Sequence, residues 1–204
     1  MDGIRAVIFD LDNTLIDRDL AMASWLAGVV PPGHLSRLLT LDASGYGDRD
    51  TFFATVALGS GLSEEQARTR FQKEFPLHMR LKDGAGPLLD RLAPRYDLAL
   101  ATNGRSAMQR AKIAAVHLAD RFQVIAISQE VGSAKPEAAY FRSVVHHLGC
   151  EPAETLMVGD HPGNDIDGAA ACGLRTCWLR TPGYPEPSHA DLIIEHLSEL
   201  PLPS

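Results

Sequence analysis

Short apolar runs that alternate with helix-like stretches constrain the fold of this 204-residue chain more than any other feature. Five runs of similar length contain β-branched or aromatic residues, as strands buried on both faces of a sheet do, and a weaker sixth follows. The runs cover residues 5–10, 97–102, 122–128, 155–159, 175–179 and 191–194. Helices are predicted between them at residues 86–92, 106–118, 136–148 and 164–172. This alternation predicts an α/β fold built on a doubly wound parallel sheet.

The interval between the first and second runs breaks the alternation, because it contains no convincing strand. Four helices are predicted there, at residues 19–30, 34–41, 48–58 and 63–75. Ser63 and Gln66 fit a capping box at the start of the fourth helix. We therefore predict two domains: a core made of residues 1–14 and 83–204, and a helical cap, residues 15–82, inserted after the first strand.

Composition and charge exclude several classes of protein. Hydrophobic residues make up 45% and charged residues 22% of the chain, which is ordinary for a globular protein. The apolar runs are too short to span a bilayer, and Asp10 interrupts any apolar leader, so we expect a cytoplasmic protein with no membrane partner. The net charge of -7 and the absence of a basic run predict no nucleic-acid partner. An acidic chain can still bind an anionic small molecule where a metal or a few cations reverse the local field.

Polar residues follow the predicted strands, where ligands bind in open α/β sheets. After the first strand, Asp10, Asp12 and Thr14 point to the same side, because side chains alternate along an extended chain. Two crowded carboxylates repel each other unless a cation or a proton intervenes. Asp and Thr also favour turns, so this motif alone is equally compatible with a turn cluster.

Two further motifs follow other predicted strands. Thr102 and Asn103 lie at the end of the second strand, where a hydroxyl and an amide are suited to hold an oxyanion at the start of a helix. Thr is also common at helix N-caps, and Asn-Gly is common in turns, so this motif alone is weak evidence for a binding site. Lys135 directly precedes a predicted helix whose first residue is Pro136. For an isolated lysine, solvent exposure is the default interpretation.

The last motif lies after the strand at residues 155–159. Asp160 leaves the end of this strand, and Asp165 follows at the start of the next predicted helix. Both carboxylates are expected to face the same crevice as Asp10. Asp165 has a simpler alternative in a favourable helix dipole, whereas a carboxylate directly after a buried strand needs a partner.

These four motifs, in this order and with an all-helical insertion after the first, resemble the haloacid dehalogenase-like (HAD) hydrolase superfamily. The resemblance covers nearly the whole chain and is closest to the phosphatase branch with a small helical, C1-type cap. Residues 101–104, 127–136 and 158–165 are most similar to pyrimidine nucleotidases and sugar-phosphate phosphatases. The resemblance implies a Rossmann-like core and Mg²⁺-dependent hydrolysis of a small phosphorylated metabolite, such as a nucleoside monophosphate or a sugar phosphate.

The same resemblance implies the roles of individual residues. Asp10 is implied to be the nucleophile that forms an aspartyl phosphate, and Asp12 the general acid and base. Thr102, Asn103 and Lys135 are implied to bind the transferring phosphoryl group. Such a covalent route is chemically reasonable, because it divides one difficult displacement into two easier ones.

A magnesium site is also implied by the resemblance. The ligands would be Asp10, the backbone carbonyl of Asp12, and Asp160, with Asp165 in support. Oxygen ligands with retained waters suit Mg²⁺. Together with Lys135, the cation would make a pocket of four carboxylates receptive to a phosphate.

Other branches of the superfamily fit less well. The dehalogenases lack a carboxylate two residues after the nucleophile, where this chain has Asp12. The phosphonate-cleaving branch uses a cap lysine, and the insertion offers only Lys73 and Lys82. A phosphomutase and a catalytically idle binding module stay open as alternatives, as do a monomer and a homodimer.

The insertion is expected to be a mobile cap that selects the substrate. Its two connections border the predicted catalytic crevice, so closure would expel water from it. Arg18, Tyr46 and Arg49 are the candidate residues for contacts with the leaving group, on the basis of their place after the first strand.

Overall fold

The computed structural model describes residues 3–201. The chain forms two compact units. The first, which we call the sheet unit, comprises the described residues of Met1–Ile16 and Leu81–Ser204. The second, which we call the helical unit, is Asp17–Arg80.

Six parallel strands form the sheet of the sheet unit. They are β1 Ala6–Phe9, β2 Asp97–Thr102, β3 Val124–Ile127, β4 Thr155–Gly159, β5 Arg175–Leu179 and β6 Leu192–Ile194. Their spatial order is β3-β2-β1-β4-β5-β6, and every neighbouring pair is parallel. The predicted α/β fold with a doubly wound, Rossmann-like parallel sheet is therefore confirmed.

The strand order places a switch point beside β1. The chain proceeds outward from β1 to β2 and β3 on one side, and then continues from β4 to β6 on the other. In register, Phe9 at the end of β1 pairs with Leu100 of β2 and Val158 of β4. Residues that follow β1 and β4 therefore meet at the edge of the sheet where open α/β sheets bind ligands.

Four α-helices make up most of the helical unit: α1 Arg18–Ala27, α2 Pro32–Asp42, α3 Arg49–Ser60 and α4 Glu64–Glu74. Each lies within one turn of its predicted bounds. The predicted capping box is present, because the Ser63 hydroxyl accepts from the Gln66 backbone and the Gln66 side chain accepts from the Ser63 backbone. Trp25, Phe53 and Phe75 each pack on the ring of Phe71, with centroids 4.5 to 5.4 Å apart. This aromatic cluster gives the unit its own apolar core.

Five α-helices of different lengths lie between the strands of the sheet unit: α5 Ala85–Leu92, α6 Ser106–Ala115, α7 Ser128–Val131, α8 Ala138–Leu148 and α9 Gly168–Ala170. Helix α8 packs against β2 and β3 through a buried apolar cluster that includes Tyr140, Phe141 and Val144. The Tyr140 hydroxyl donates to the carbonyl of Ala126 at 2.6 Å, which satisfies its buried polar atom. Among residues 3–201, no helix has the length and apolar character needed to cross a membrane.

Three predicted helix bounds in the sheet unit were wrong. Helix α6 ends at Ala115 rather than at residue 118, because His117 has a φ of 55°, which does not continue a right-handed helix. The predicted helix 164–172 is a π-helix, Pro162–Asp167, followed by the short α9.

The third correction concerns the start of α8. The structure places Glu137 at the N-cap position and Ala138 as the first helical residue, so Pro136 does not begin the helix as predicted. Instead, the backbone N–H of Glu137 donates to the carbonyl of Ala134 at 2.7 Å, which closes a tight turn around Lys135 and Pro136. This turn, rather than the helix, carries Lys135.

Candidate active site

Lys135 joins two carboxylates at the switch point of the sheet. Its ammonium group lies 2.6 Å from Oδ1 of Asp10 and 2.7 Å from Oδ1 of Asp165, and it also donates to the carbonyl of Ala101 at 2.9 Å. All three of its hydrogen-bond donors are thereby used. Lys135, Asp10 and Asp165 are buried, with at most 6% of each residue exposed.

Burial sets the electrostatics of this cluster. It raises the pKa of Asp10 to about 7, and the charge of Asp165 adds to this effect while Lys135 opposes it. Burial alone would lower the pKa of Lys135, but the charges of Asp10 and Asp165 outweigh it and hold this pKa well above its usual value. The raised pKa of Lys135 therefore favours its ammonium form beside Asp10.

Asp160 follows β4 and completes the group of buried carboxylates. Its Oδ1 accepts from the hydroxyl of Thr14 at 3.1 Å, and its backbone carbonyl accepts from the indole N–H of Trp178 at 2.8 Å. Burial raises the pKa of Asp160 well above its usual value, and the charges of Asp10 and Asp165 reinforce the shift. One lysine does not neutralise three carboxylates, so the cluster favours an additional cation.

The donor set fits a hard divalent cation. Asp10, Asp160 and Asp165 each offer a carboxylate oxygen, and these atoms lie within 4.8 Å of one another. Oxygen ligation of this kind suits Mg²⁺. The carboxylate of Asp12 accepts instead from Gln109 and Lys112. This is compatible with the implied metal site, in which Asp12 would contribute only its backbone carbonyl.

Gly159 makes room for Asp165. A Cβ atom at Gly159 would lie 2.4 Å from the side chain of Asp165, so only glycine fits here without a backbone shift. The second oxygen of Asp165 accepts from the backbone N–H of His161 at 3.0 Å. Asp165 is thus fixed between a loop amide and Lys135.

Thr102 is the last residue of β2, and Asn103 follows it directly. Thr102 is 1% exposed and lies at the strand end. The amide of Asn103 donates to the carbonyl of Lys135 at 2.8 Å and accepts from its backbone N–H at 2.9 Å. Asn103 therefore holds the turn that carries Lys135, and a direct contact of Asn103 with substrate stays a prediction.

The structure adds two residues that the sequence analysis missed. Gln109 and Lys112 of α6 are 2% and 4% exposed, and both donate to the carboxylate of Asp12. They lie three residues apart, on the helix face that also buries Ile113. Two polar residues on the apolar face of a predicted helix were the signal that could have found them.

The candidate substrate contacts of the insertion lie in the helical unit. Arg18 is 4% exposed, and its guanidinium donates to both oxygens of Asp42 at 2.5 and 2.9 Å. Arg49 donates to the same carboxylate at 2.7 Å and stacks over the ring of Phe52. Tyr46 is 58% exposed. The buried Arg18 and the half-buried Arg49 thus form an ion network with the buried carboxylate of Asp42, while Tyr46 is exposed.

Arg18→Ala is expected to destabilise the helical unit by about 3 kcal/mol, because it leaves much of the Asp42 charge buried without a partner. The two arginines overcome the effect of burial and lower the pKa of Asp42. Hydrogen exchange of the amides of α1 and α2, measured by mass spectrometry, reports the loss.

The stabilisation has a defined pH dependence. The pKa of Asp42 is lowered on folding. Its contribution to the stability of the helical unit is therefore present at pH values above the ordinary Asp pKa, and it is lost as the pH falls through the lowered pKa. The difference between Arg18→Ala and the wild type should therefore shrink at acid pH. A difference that grows toward acid pH would contradict the assigned ion pair.

The geometry described so far defines a doubly wound α/β protein with a buried aspartate and lysine site at a sheet switch point. A family model of the haloacid dehalogenase-like hydrolases matches residues 4–173. The chain belongs to this family, and the resemblance stated from the sequence is confirmed.

Curated relatives include phosphatases of different substrates. The chain is 40% identical over 160 residues to a phosphoserine phosphatase of Thermus thermophilus, with 74% of this chain and 63% of that protein covered. It thus spans less than two thirds of that relative's length. It is 29% identical over 201 residues to the pyrimidine 5'-nucleotidase PynA of Streptococcus pneumoniae, with coverage of 85% and 83%. The chain is accordingly a HAD-type hydrolase with phosphatase and nucleotidase relatives.

A solved structure with a similar fold is the HAD-hydrolase YfnB of Bacillus subtilis. It superimposes with a TM-score of 0.77 at 27% identity, covering 97% of this chain and 96% of that one. The YfnB crystal structure is bound to magnesium and reveals interdomain movement.

Proposed function

We propose that this chain is a magnesium-dependent phosphatase that hydrolyses a small phosphomonoester, a nucleoside monophosphate or a sugar phosphate, through an aspartyl phosphate on Asp10. The observation that carries this proposal is the buried contact of Asp10 with Lys135 beside Asp160 and Asp165. It combines a nucleophile, a fixed cation and an all-oxygen donor set in one place.

Asp10 is positioned to act as the nucleophile. One carboxylate oxygen forms a bond to phosphorus while the bond from phosphorus to the leaving oxygen breaks, which leaves an acyl phosphate on Asp10. A water then attacks this phosphorus, inorganic phosphate leaves, and the Asp10 carboxylate is regenerated. Its second oxygen stays available to bind a cation.

Asp12 moves the protons in both steps. In the first step its carboxyl group gives a proton to the departing alcohol oxygen, and in the second its carboxylate takes a proton from the attacking water. The residue lies outside the buried triad of metal donors and is held by Lys112 and Gln109. Its carboxylate therefore has hydrogen-bond partners of its own, different from those of the Asp10 carboxylate.

Lys135 and Thr102 are the residues proposed to act on the phosphoryl group. Lys135 acts through its charge, because Asp10, Asp165 and the carbonyl of Ala101 take its three donors, and Thr102 acts through its hydroxyl. The ammonium of Lys135 offsets the repulsion between the Asp10 carboxylate and an incoming phosphate, and the Thr102 hydroxyl supplies a neutral donor. Asp10, Asp160, Asp165 and the carbonyl of Asp12 would hold Mg²⁺. When bound, Mg²⁺ supplies positive charge that neutralises phosphoryl oxygens.

A phosphate-release screen tests this function. Purified protein with Mg²⁺ is assayed for phosphate release from nucleoside monophosphates, sugar phosphates and phosphoserine, and for halide release from a 2-haloacid. Asp10→Asn protein prepared identically is the control for contaminating phosphatases. Phosphate release that exceeds the control on at least one phosphomonoester is expected. Absence of release from the whole panel would contradict the proposal and favour an idle binding module, and phosphoryl transfer to a sugar would favour a phosphomutase.

Substrate selection by the helical unit also stays a prediction, and Tyr46 is the residue best suited to test it. Unlike Arg18, it can be replaced without breaking a buried ion pair. If Tyr46 contacts the leaving group, Tyr46→Ala should lower kcat/KM for the preferred metabolite at least about fivefold more than for a small aryl phosphate. Equal losses on both substrates would contradict a selective role for this residue.

A further inference from the structure

Helix α6 presents two buried polar side chains to Asp12, which follows β1, and to Thr102, the last residue of β2. The Lys112 ammonium lies 2.8 Å from both oxygens of Asp12. The Gln109 amide nitrogen donates to Oδ2 of Asp12 at 2.9 Å and to the Thr102 hydroxyl oxygen at 2.5 Å. One helix turn therefore connects the proposed general acid and base to a proposed phosphoryl-binding hydroxyl.

The orientation of the Gln109 amide follows from its partners. The amide nitrogen of Gln109 can only donate, so Oδ2 of Asp12 is the acceptor in their 2.9 Å contact. The same nitrogen donates to Thr102, which makes the Thr102 oxygen an acceptor in this contact. The hydroxyl hydrogen of Thr102 must then point away from Gln109, and it is available to donate to a phosphoryl oxygen.

The backbone beside Gln109 is shaped to admit this side chain. Gly104 has a φ of 145°, a conformation that favours glycine, and a Cβ atom there would lie 3.1 Å from Cγ and Cδ of Gln109. A residue with a side chain at Gly104 would therefore press on the amide that links Asp12 and Thr102.

We propose that Lys112 and Gln109 are positioning residues: Lys112 holds the Asp12 carboxylate in place for proton transfer, and Gln109 fixes both Asp12 and the donor direction of the Thr102 hydroxyl. This inference rests on the proposed function, because it acts through Asp12 and Thr102. Neither residue needs to touch substrate. A displacement of a reacting group by about 1 Å can cost 100-fold in rate, so their effect on catalysis should be large.

Leaving-group dependence separates positioning from a purely structural ion pair. Phenyl phosphate has a basic leaving group that needs a proton, whereas 2,4-dinitrophenyl phosphate has a weakly basic aryl leaving group that departs without one. Loss of Asp12 function should therefore lower kcat/KM mainly for phenyl phosphate. A general weakening of the fold would lower both values together.

The experiment is a double-mutant cycle between Lys112→Met and Asp12→Asn, with kcat/KM measured on both substrates. Lys112→Met alone is expected to lower kcat/KM for phenyl phosphate by at least about tenfold, and for 2,4-dinitrophenyl phosphate by less than about threefold. In the Asp12→Asn background the same substitution should cost less than about threefold on either substrate, because the group that it positions is already gone.

The cycle distinguishes failure of this inference from failure of the proposed function. If Asp12→Asn alone shows no selective loss on phenyl phosphate, the proposed role of Asp12 is wrong. If Asp12→Asn shows that loss but Lys112→Met does not, or if the Lys112→Met loss persists undiminished without Asp12, positioning by Lys112 is wrong. Arg110→Met is the matched control on the same helix, because Arg110 pairs with Glu130 at the surface, and unchanged kinetics are expected.

Gln109→Met tests the second half of the inference. It keeps the side-chain length but removes the donor, so kcat/KM should fall on both substrates through Thr102. A loss confined to phenyl phosphate would contradict the role assigned toward Thr102.

A second variant covers the case in which Lys112→Met does not fold, because Lys112 is buried. Lys112→Gln keeps a neutral donor and replaces Lys112→Met in the same cycle. The same selective loss of kcat/KM on phenyl phosphate is expected.

Discussion

Asp10→Asn is expected to abolish turnover while leaving the fold intact. An amide cannot form the acyl phosphate, so activity should fall by more than about 100-fold, as it does when a covalent nucleophile is removed. The fold should tolerate the change, because Lys135 keeps its contacts with Asp165 and with the carbonyl of Ala101. Burial already disfavours charge on Asp10, so a neutral isostere suits this position.

Phosphate release and circular dichroism together check this prediction. Wild-type and Asp10→Asn protein should give the same spectrum and both melt cooperatively. More than about one hundredth of wild-type activity in correctly folded Asp10→Asn protein would contradict the assignment of Asp10 as nucleophile.

Asp160→Ala is expected to raise the Mg²⁺ requirement sharply. Removing one of three clustered carboxylates takes away a metal donor, and even changes to groups that only support the ligands cost about 10- to 100-fold in metal affinity. The Mg²⁺ concentration for half-maximal activity should therefore rise at least about tenfold, and excess chelator should remove the activity of the wild type. Isothermal titration with Mg²⁺ provides a measurement that does not depend on turnover.

Asp167→Ala is a suitable control for this experiment. Asp167 lies in the same π-helix as Asp165, but its carboxylate pairs with His189 and accepts from the Ser188 backbone at the surface. Its removal should leave the Mg²⁺ titration unchanged. An unchanged titration in Asp160→Ala, or full wild-type activity in excess chelator, would contradict the proposed metal site.

The sequence predicted the sheet and the convergence of its polar motifs, because both depend on short-range patterns. Apolar runs of strand length specify buried parallel strands, and the doubly wound order then brings residues after β1 and β4 together. Asp10 and Asp160 could be placed at one edge for this reason alone. The place of Lys135 in this site was reached through the family resemblance, since local pattern gives a lone lysine no such place, and its contacts with Asp10 and Asp165 were seen only in the structure.

Helix ends were harder to predict, because they depend on single backbone conformations and tertiary contacts. The positive φ of His117 ends α6, although histidine carries no strong stop signal. Pro136 was expected to begin a helix, but the preceding turn is held by the side chain of Asn103, which is distant in sequence. Such long-range contacts override local propensity.

Buried polar partners were the other features that local patterns did not show. Gln109 and Lys112 have side chains that are exposed by default, and their burial depends on Asp12, about 100 residues earlier. Arg18 was considered for substrate binding, and its pairing with Asp42 depends on how α1 packs on α2 within the helical unit. Both cases require knowledge of which helix face meets which neighbour.

The covalent step on Asp10 is tested most directly by acid-quenching the enzyme during turnover of 2,4-dinitrophenyl phosphate and mapping the phosphoryl group by peptide mass spectrometry. Asp12→Asn protein is the best sample, because slow hydrolysis should allow the intermediate to accumulate. A single phosphoryl group on Asp10, absent from Asp10→Asn protein, is the expected result. The aspartyl-phosphate mechanism would be contradicted if dinitrophenolate were released in the first turnover while the Asp10 peptide stayed unmodified. The phosphoryl group would then be found as inorganic phosphate or on another residue.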